Sequence, residues 1–127
     1  MKIVTVIARI LLGLIFVVFG FNGFLHFIHM PPPAPDSAAG QFFAAVSTTG
    51  FMKVIFLLQI VGGLLVLLGV FVPLGLAILC PIIFNIVLFH FCMAPQGLPL
   101  AIIASLLALF LIWRYWANFA GLVRQGM

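Results

Sequence analysis

The sequence predicts an all-α integral membrane protein, a four-helix bundle running up-down-up-down, and three observations predict it. The 127-residue chain is 67% hydrophobic, with a mean hydropathy of +1.49. Only 5% of its residues are charged and Asp36 is the one acid, whereas soluble domains carry about a quarter charged residues. Four apolar stretches, at residues 3–28, 51–71, 74–92 and 99–116, have the roughly 20-residue length that a bilayer core about 30 Å thick requires. Together they take up residues 1–127 as a single transmembrane domain and leave nothing for a soluble one.

The first stretch begins after Lys2 and resembles the opening of a secretory signal. Its apolar run is too long for one, however, and no A-x-A-like cleavage site follows, so it is expected to remain as a membrane helix. Arg9, two turns in, is expected to snorkel to the headgroups; the alternative is a buried functional guanidinium. The stretch ends at "HMPPPAPD" (29–36), where successive prolines remove backbone donors and force extended chain. In the outer loop 30–50, Asp36 or Ser37 is positioned to cap a short amphipathic helix in "QFFAAVSTTGF" (41–51), with Phe42, Phe43 and Val46 on one face. It is expected to lie on the outer membrane surface.

The second and third stretches meet at the tight "GVFVPLG" (69–75), and the third and fourth at "APQGLP" (94–99). Pro73 and Pro99 fall where a first helical turn accepts proline. Pro81 lies inside the third stretch, where it is expected to free the Ala77 carbonyl and kink the helix. Gly62, Gly63 and Gly69, with Gly13 and Gly20, are read as sites of close helix packing.

Orientation follows from the cations. Lys2, Arg9, Arg114 and Arg124 fall at the end shared by both termini, and Lys53 alone falls at the other. Both termini are therefore expected to be cytoplasmic. Trp113, Tyr115 and Trp116 form the expected inner aromatic belt. This distribution accounts for the +4 net charge, so nucleic-acid binding is not suggested.

That topology assigns a depth to each polar residue. At about 1.5 Å rise per residue, Asn22, Gln59 and Asn85 fall in one layer of the outer half, and His26, His29 and His90 lie nearer the outside. Asn22, His26 and His29 share one stripe at i, i+4 and i+7. Polar residues are costly against lipid, so the stripe is expected to face the interior. Asn85 and His90 are five apart and diverge by about 140°, which directs His90 towards an edge or the interfacial loop. The echo of "FNGFLHF" (21–27) in "FNIVLFHF" (84–91) hints at a duplicated two-helix unit.

Asn22, His26, Gln59, Asn85 and His90 are thus the candidate ligand-site residues, and two readings compete for them. In one they are interhelical glue in an accessory or anchoring subunit. In the other their amide and imidazole donors hold a quinone or similar lipophilic molecule. Metal or haem ligation by His26, His29 or His90 is the weakest option, because no compact motif such as C-x-x-C-H or H-E-x-x-H is present. Cys80 and Cys92, about 18 Å apart by helical rise, are too distant for a disulfide. A Ser-His-Asp set and a phosphate-binding glycine loop are both missing from the sequence.

The stretches "RILLGLIFVVFGFNGFLHFIHMPPPAP" (9–35) and "GGLLVLLGVFVPLGLAILCPIIFNIVLFHF" (62–91) closely resemble the DoxX family of small bacterial four-helix membrane proteins, over roughly Arg9 to Trp116. The resemblance implies an inner-membrane protein associated with sulfur and quinone redox chemistry or with complexes managing thiol and oxidative stress. Expected partners are the lipid bilayer and a membrane, periplasmic or cytoplasmic redox protein; a homo-oligomer is compatible. Many members carry Glu where this chain has Gln59. An amide does not titrate, so no proton-carrying role is implied there.

Overall fold

A computed structural model describes residues 2–29 and 32–123. Among them every regular element is helical: α1 (Lys2–Leu25), α2 (Ala38–Thr48), α3 (Phe51–Leu68), α4 (Val72–Cys92), α5 (Leu98–Arg114) and α6 (Trp116–Val123), with a 3₁₀ turn at Pro95–Gly97. Four helical segments are long and apolar enough to cross a membrane: α1, α3, α4, and α5 together with the turn before it.

Helix ends differ from the expected boundaries for local reasons. α1 stops at Leu25 rather than residue 28, because His26 takes a left-handed conformation with φ of 54°. α2 begins just after Ser37, one of the two caps expected, whose Oγ accepts the Gly40 N–H at 3.0 Å. Its last carbonyls are served by side chains: the Thr48 and Thr49 hydroxyls donate to Ala44 O and Ala45 O at 2.8 and 2.9 Å. α3 ends at Leu68, since Gly69 has φ of 75° and its N–H turns back to Leu65 O and Val66 O. Left-handed glycines commonly close helices in this way. α4 starts two residues before the expected position 74, with Pro73 in its first turn, and runs through Pro81 to Cys92.

The fourth apolar stretch breaks at Tyr115, and the chain continues as α6. The sequence reading ended this stretch at the aromatic cluster and missed that helix. Arg124 lies outside the described residues.

The long helices form a closed ring of neighbours, α1 against α3, α3 against α4, α4 against α5 and α5 against α1. Glycines show how closely two of these pairs approach. A Cβ added to Gly13 would lie 2.6 Å from Leu67 Cβ, and one on Gly20 would lie 2.7 Å from Ile60 Cγ1. Between α3 and α4, a Cβ on Gly75 would lie 2.9 Å from the Gly62 carbonyl oxygen. Position numbers rise on one helix as they fall on its partner, so both pairs are antiparallel. Small residues permit this contact where lipid supplies no hydrophobic drive for association.

Inside the ring, Leu12, Val66, Leu76, Leu79 and Leu111 are fully buried. α5 contributes a face of small residues, Ala101, Ala104 and Ala108, above Leu111. Large apolar side chains point outward instead, among them Ile3, Phe84, Phe91, Leu106 and Leu109. Such continuous exposed apolar surface marks contact with lipid or another protein.

The glycine seam can be tested. Gly13→Val has no room beside Leu67, and is expected to cost roughly 1–3 kcal/mol as overpacking. Gly121→Ala, at a helical position with nothing within 4 Å, is expected to cost nothing and to stabilise by up to about 1 kcal/mol, since alanine is the better helix former. Unfolding titrations in mixed micelles would read both.

Candidate functional site

Two of the three amides expected in one layer lie together. Gly20 meets Ile60 and the Phe56 carbonyl, while Gly23 meets the Phe56 ring. Asn22 therefore sits at the level of residues 56–60 on α3, the stretch that contains Gln59. Asn22 and Gln59 are 5% and 6% exposed and are the buried polar residues of the described chain. Phe24 and Phe56 pack edge-on at this level, with ring centroids 6.2 Å apart.

The two amides are used differently. Asn22 Oδ1 accepts the Ile28 N–H at 2.7 Å, and the Asn22 carbonyl accepts the His26 N–H at 2.8 Å. One residue thus binds both strands of the turn by which the chain leaves α1. That satisfies donors otherwise left orphaned beyond the helix end. Gln59, by contrast, makes no hydrogen bond among the described residues.

Asn85 stands near the same level, since the antiparallel pairing that sets Gly62 against Leu79 carries on to Asn85 opposite residue 56, but it faces away from the interior. It is exposed, and its Nδ2 donates to the Pro81 carbonyl one turn back at 2.9 Å. The buried side of α4 is set by Val72, Gly75, Leu76, Leu79, Ile82 and Ile83. Asn85 lies nine residues from Leu76, about 180° around the helix. Bonding its own backbone lets an amide face the apolar exterior without an unmet donor.

The histidines separate as well. His26 and His29 are exposed, so the interior stripe expected of Asn22, His26 and His29 ends at Asn22. The left-handed turn at His26 breaks the helical register that would have continued it. His90 is half-buried and faces the turn between α4 and α5. Its Nδ1 donates to the Ala94 carbonyl at 3.0 Å, and its ring packs on Gly97. Beside it, Phe89 packs against Phe42 of α2 at 5.4 Å. His90 therefore fastens the α4–α5 connection. Among the described residues, no three His, Cys, Asp or Glu side chains are grouped to hold a metal ion. Cys80 and Cys92 are both free.

Two cavities of about 300 Å³ lie elsewhere. One is an apolar groove between α4 and α5, lined by Cys80, Phe84, Ser105 and Leu109 among others. Ser105 is turned to its own helix there, donating to Ala101 O at 2.8 Å. The other opens at the opposite end of α1, between Lys2, Thr5, Arg9, Arg114 and Tyr115. Sequence reasoning used these cations for orientation and weighed Arg9 alone, as a snorkelling side chain or a buried functional guanidinium; their shared end was the signal that they meet.

The role of Asn22 is testable. Asn22→Leu keeps the backbone carbonyl that His26 uses but leaves the Ile28 N–H without its acceptor, and is expected to cost about 1–3 kcal/mol. Hydrogen exchange at the Ile28 amide should accelerate in step. Asn85→Leu, which removes a self-satisfied and outward amide, is expected to leave both readings unchanged. Compared with known proteins, the chain matches no family model, no curated protein and no solved structure.

Proposed function

We propose that the chain is a DoxX-like multi-pass protein of the bacterial inner membrane, acting as an accessory or anchoring subunit beside sulfur, respiratory or oxidative-stress redox chemistry. The observation that carries this reading is how the outer polar residues are employed. Asn22, Asn85 and His90 are each hydrogen-bonded to the protein's own backbone, so they serve the fold. The surface left for other molecules is largely apolar, with Phe84, Phe91 and Leu106 facing outward. Such a surface suits lipid and a neighbouring membrane subunit. The long stretches resembling DoxX proteins supply the family and its redox setting.

In this reading the four long helices run up-down-up-down with both termini cytoplasmic. The support is the cation distribution, with Lys2, Arg9 and Arg114 at one end and Lys53 at the other. α2 lies along the outer surface as a short amphipathic helix, resting Phe42 on Phe89.

A second reading, a quinone or similar lipophilic ligand held in the outer half, is favoured by one observation. Gln59 is buried beside α1 and its amide is unengaged within the described residues. An amide N–H₂ is a suitable donor to a quinone carbonyl.

One preparation tests both readings. The tagged full chain is purified from native membranes in mild detergent, and its proteins and quinones are quantified. A redox protein in stoichiometric amount is the expected result; recovery of the chain with no partner protein overturns the subunit reading. Quinone at about one per chain in the wild type, absent from Gln59→Leu, would instead establish the second.

A further inference from the structure

The end of the molecule remote from the amides carries a chemistry of its own. Lys2, Thr5, Val6, Arg9, Arg114 and Tyr115 line a cavity of about 300 Å³ where the start of α1 meets the end of α5. Three of those six side chains are cationic. Like charges converge only at a cost unless an anion compensates them.

The chain does not supply that anion from a side chain. Its one acidic residue is Asp36, which follows the opposite end of α1, and Arg9 to Leu25 alone spans about 24 Å at 1.5 Å per residue. Arg9 shows the deficit most clearly. Its Nε is buried without a partner, and Arg9 makes no hydrogen bond or ion pair among the described residues. A buried guanidinium donor left unpaired is costly.

The cavity is nevertheless constructed around these groups. The Arg9 guanidinium lies over left-handed Gly69, where a Cβ would come within 2.8 Å of Nη1. That position is the C-terminal end of α3, whose partial negative charge favours a cation. Arg114 is held by its Nε–H donating to Thr5 Oγ1 at 3.0 Å and by the Trp113 ring 5.7 Å away. Two arginines, a lysine and a tyrosine thus border one space. This donor set matches a phosphate, which guanidinium groups bind with paired hydrogen bonds.

The position favours a phosphate carried by a lipid. The cavity lies at the end of two membrane-length helices, beside Trp113, Tyr115 and Trp116, residue types that settle at headgroup level. Ile3, Ile7 and Ile10, on the same stretch of α1 as Lys2 and Arg9, are exposed, where acyl chains would run. We propose that this cavity is a binding site for the headgroup phosphate of an anionic phospholipid, with Arg9 as its central ligand. The site is independent of the redox-partner reading, since it lies at the other end of the helices.

The test uses the full chain with phosphatidylglycerol, phosphatidylcholine and inorganic phosphate as separate probes. Native mass spectrometry of detergent-purified protein is expected to show a retained phosphatidylglycerol that phosphatidylcholine does not displace. Arg9→Gln should weaken retention roughly five- to tenfold, the scale of one basic contact at an anionic surface. Lys53→Gln, an equal charge change at the other end, should leave it unchanged. Should Arg9→Gln fail to fold, the double variant Lys2→Gln with Arg114→Gln, both exposed side chains, reads the same cavity. Equal retention of both lipids, or an equal loss in Lys53→Gln, overturns the proposal. Saturable inorganic phosphate binding that displaces the lipid would assign the cavity to a soluble phosphate and overturn the lipid source.

Discussion

Hydrocarbon offers a polar group no hydrogen-bond partner, and the arrangement of this protein follows from that constraint. Its polar side chains repeatedly turn to the nearest backbone. Asn85 reaches one turn back to Pro81 O, Ser105 to Ala101 O, and His90 forward to Ala94 O. Asn22 captures the amide of Ile28 just beyond its helix. An amide or hydroxyl bonded in this way can occupy an apolar surface at small cost, so polarity along a membrane helix need not indicate a binding site. Gln59 and Arg9 depart from this economy, being placed where they are sheltered yet unengaged.

Shape provides the cohesion that solvent does not. α1 and α3 approach through Gly13, Gly20 and Gly63, α3 and α4 through Gly62 and Gly75, and α5 turns a face of alanines inward. Backbones this close gain dispersion contacts along their length. The same proximity sets Asn22 and Gln59 at one level, so the packing of small residues also determines which polar residues become neighbours.

The broad plan was legible because it rests on quantities that sequence expresses directly. Apolar length marked the four membrane-length helices, while proline and glycine marked their ends to within a few residues. The inward side of α4 was not legible. Almost every residue of that helix is apolar, so no periodicity separates the face of Leu76 and Leu79 from the face of Phe84 and Asn85. The reading therefore ranked Asn85 by depth alone and gave it the wrong direction. His26 was misplaced for another reason: a left-handed histidine has no distinctive sequence signal, and the stripe was continued through it. α6 was missed because the break at Tyr115 lies within an aromatic cluster that resembles a helix end.

The connections restrict how this protein can be assembled with others. Only Gly69, Val70 and Phe71 separate α3 from α4, and three residues reach about 10 Å when fully extended. A helix is itself about 10 Å across, so no foreign helix can be threaded between these two at that end. α1 and α5 are joined to each other by no short loop, being the first and last membrane-length helices of the chain. The other neighbouring pairs are joined at one end or the other, α1 to α3 through residues 26–50 and α4 to α5 through residues 93–97, so the gap between α1 and α5 is where a visiting helix meets no connecting segment at either end.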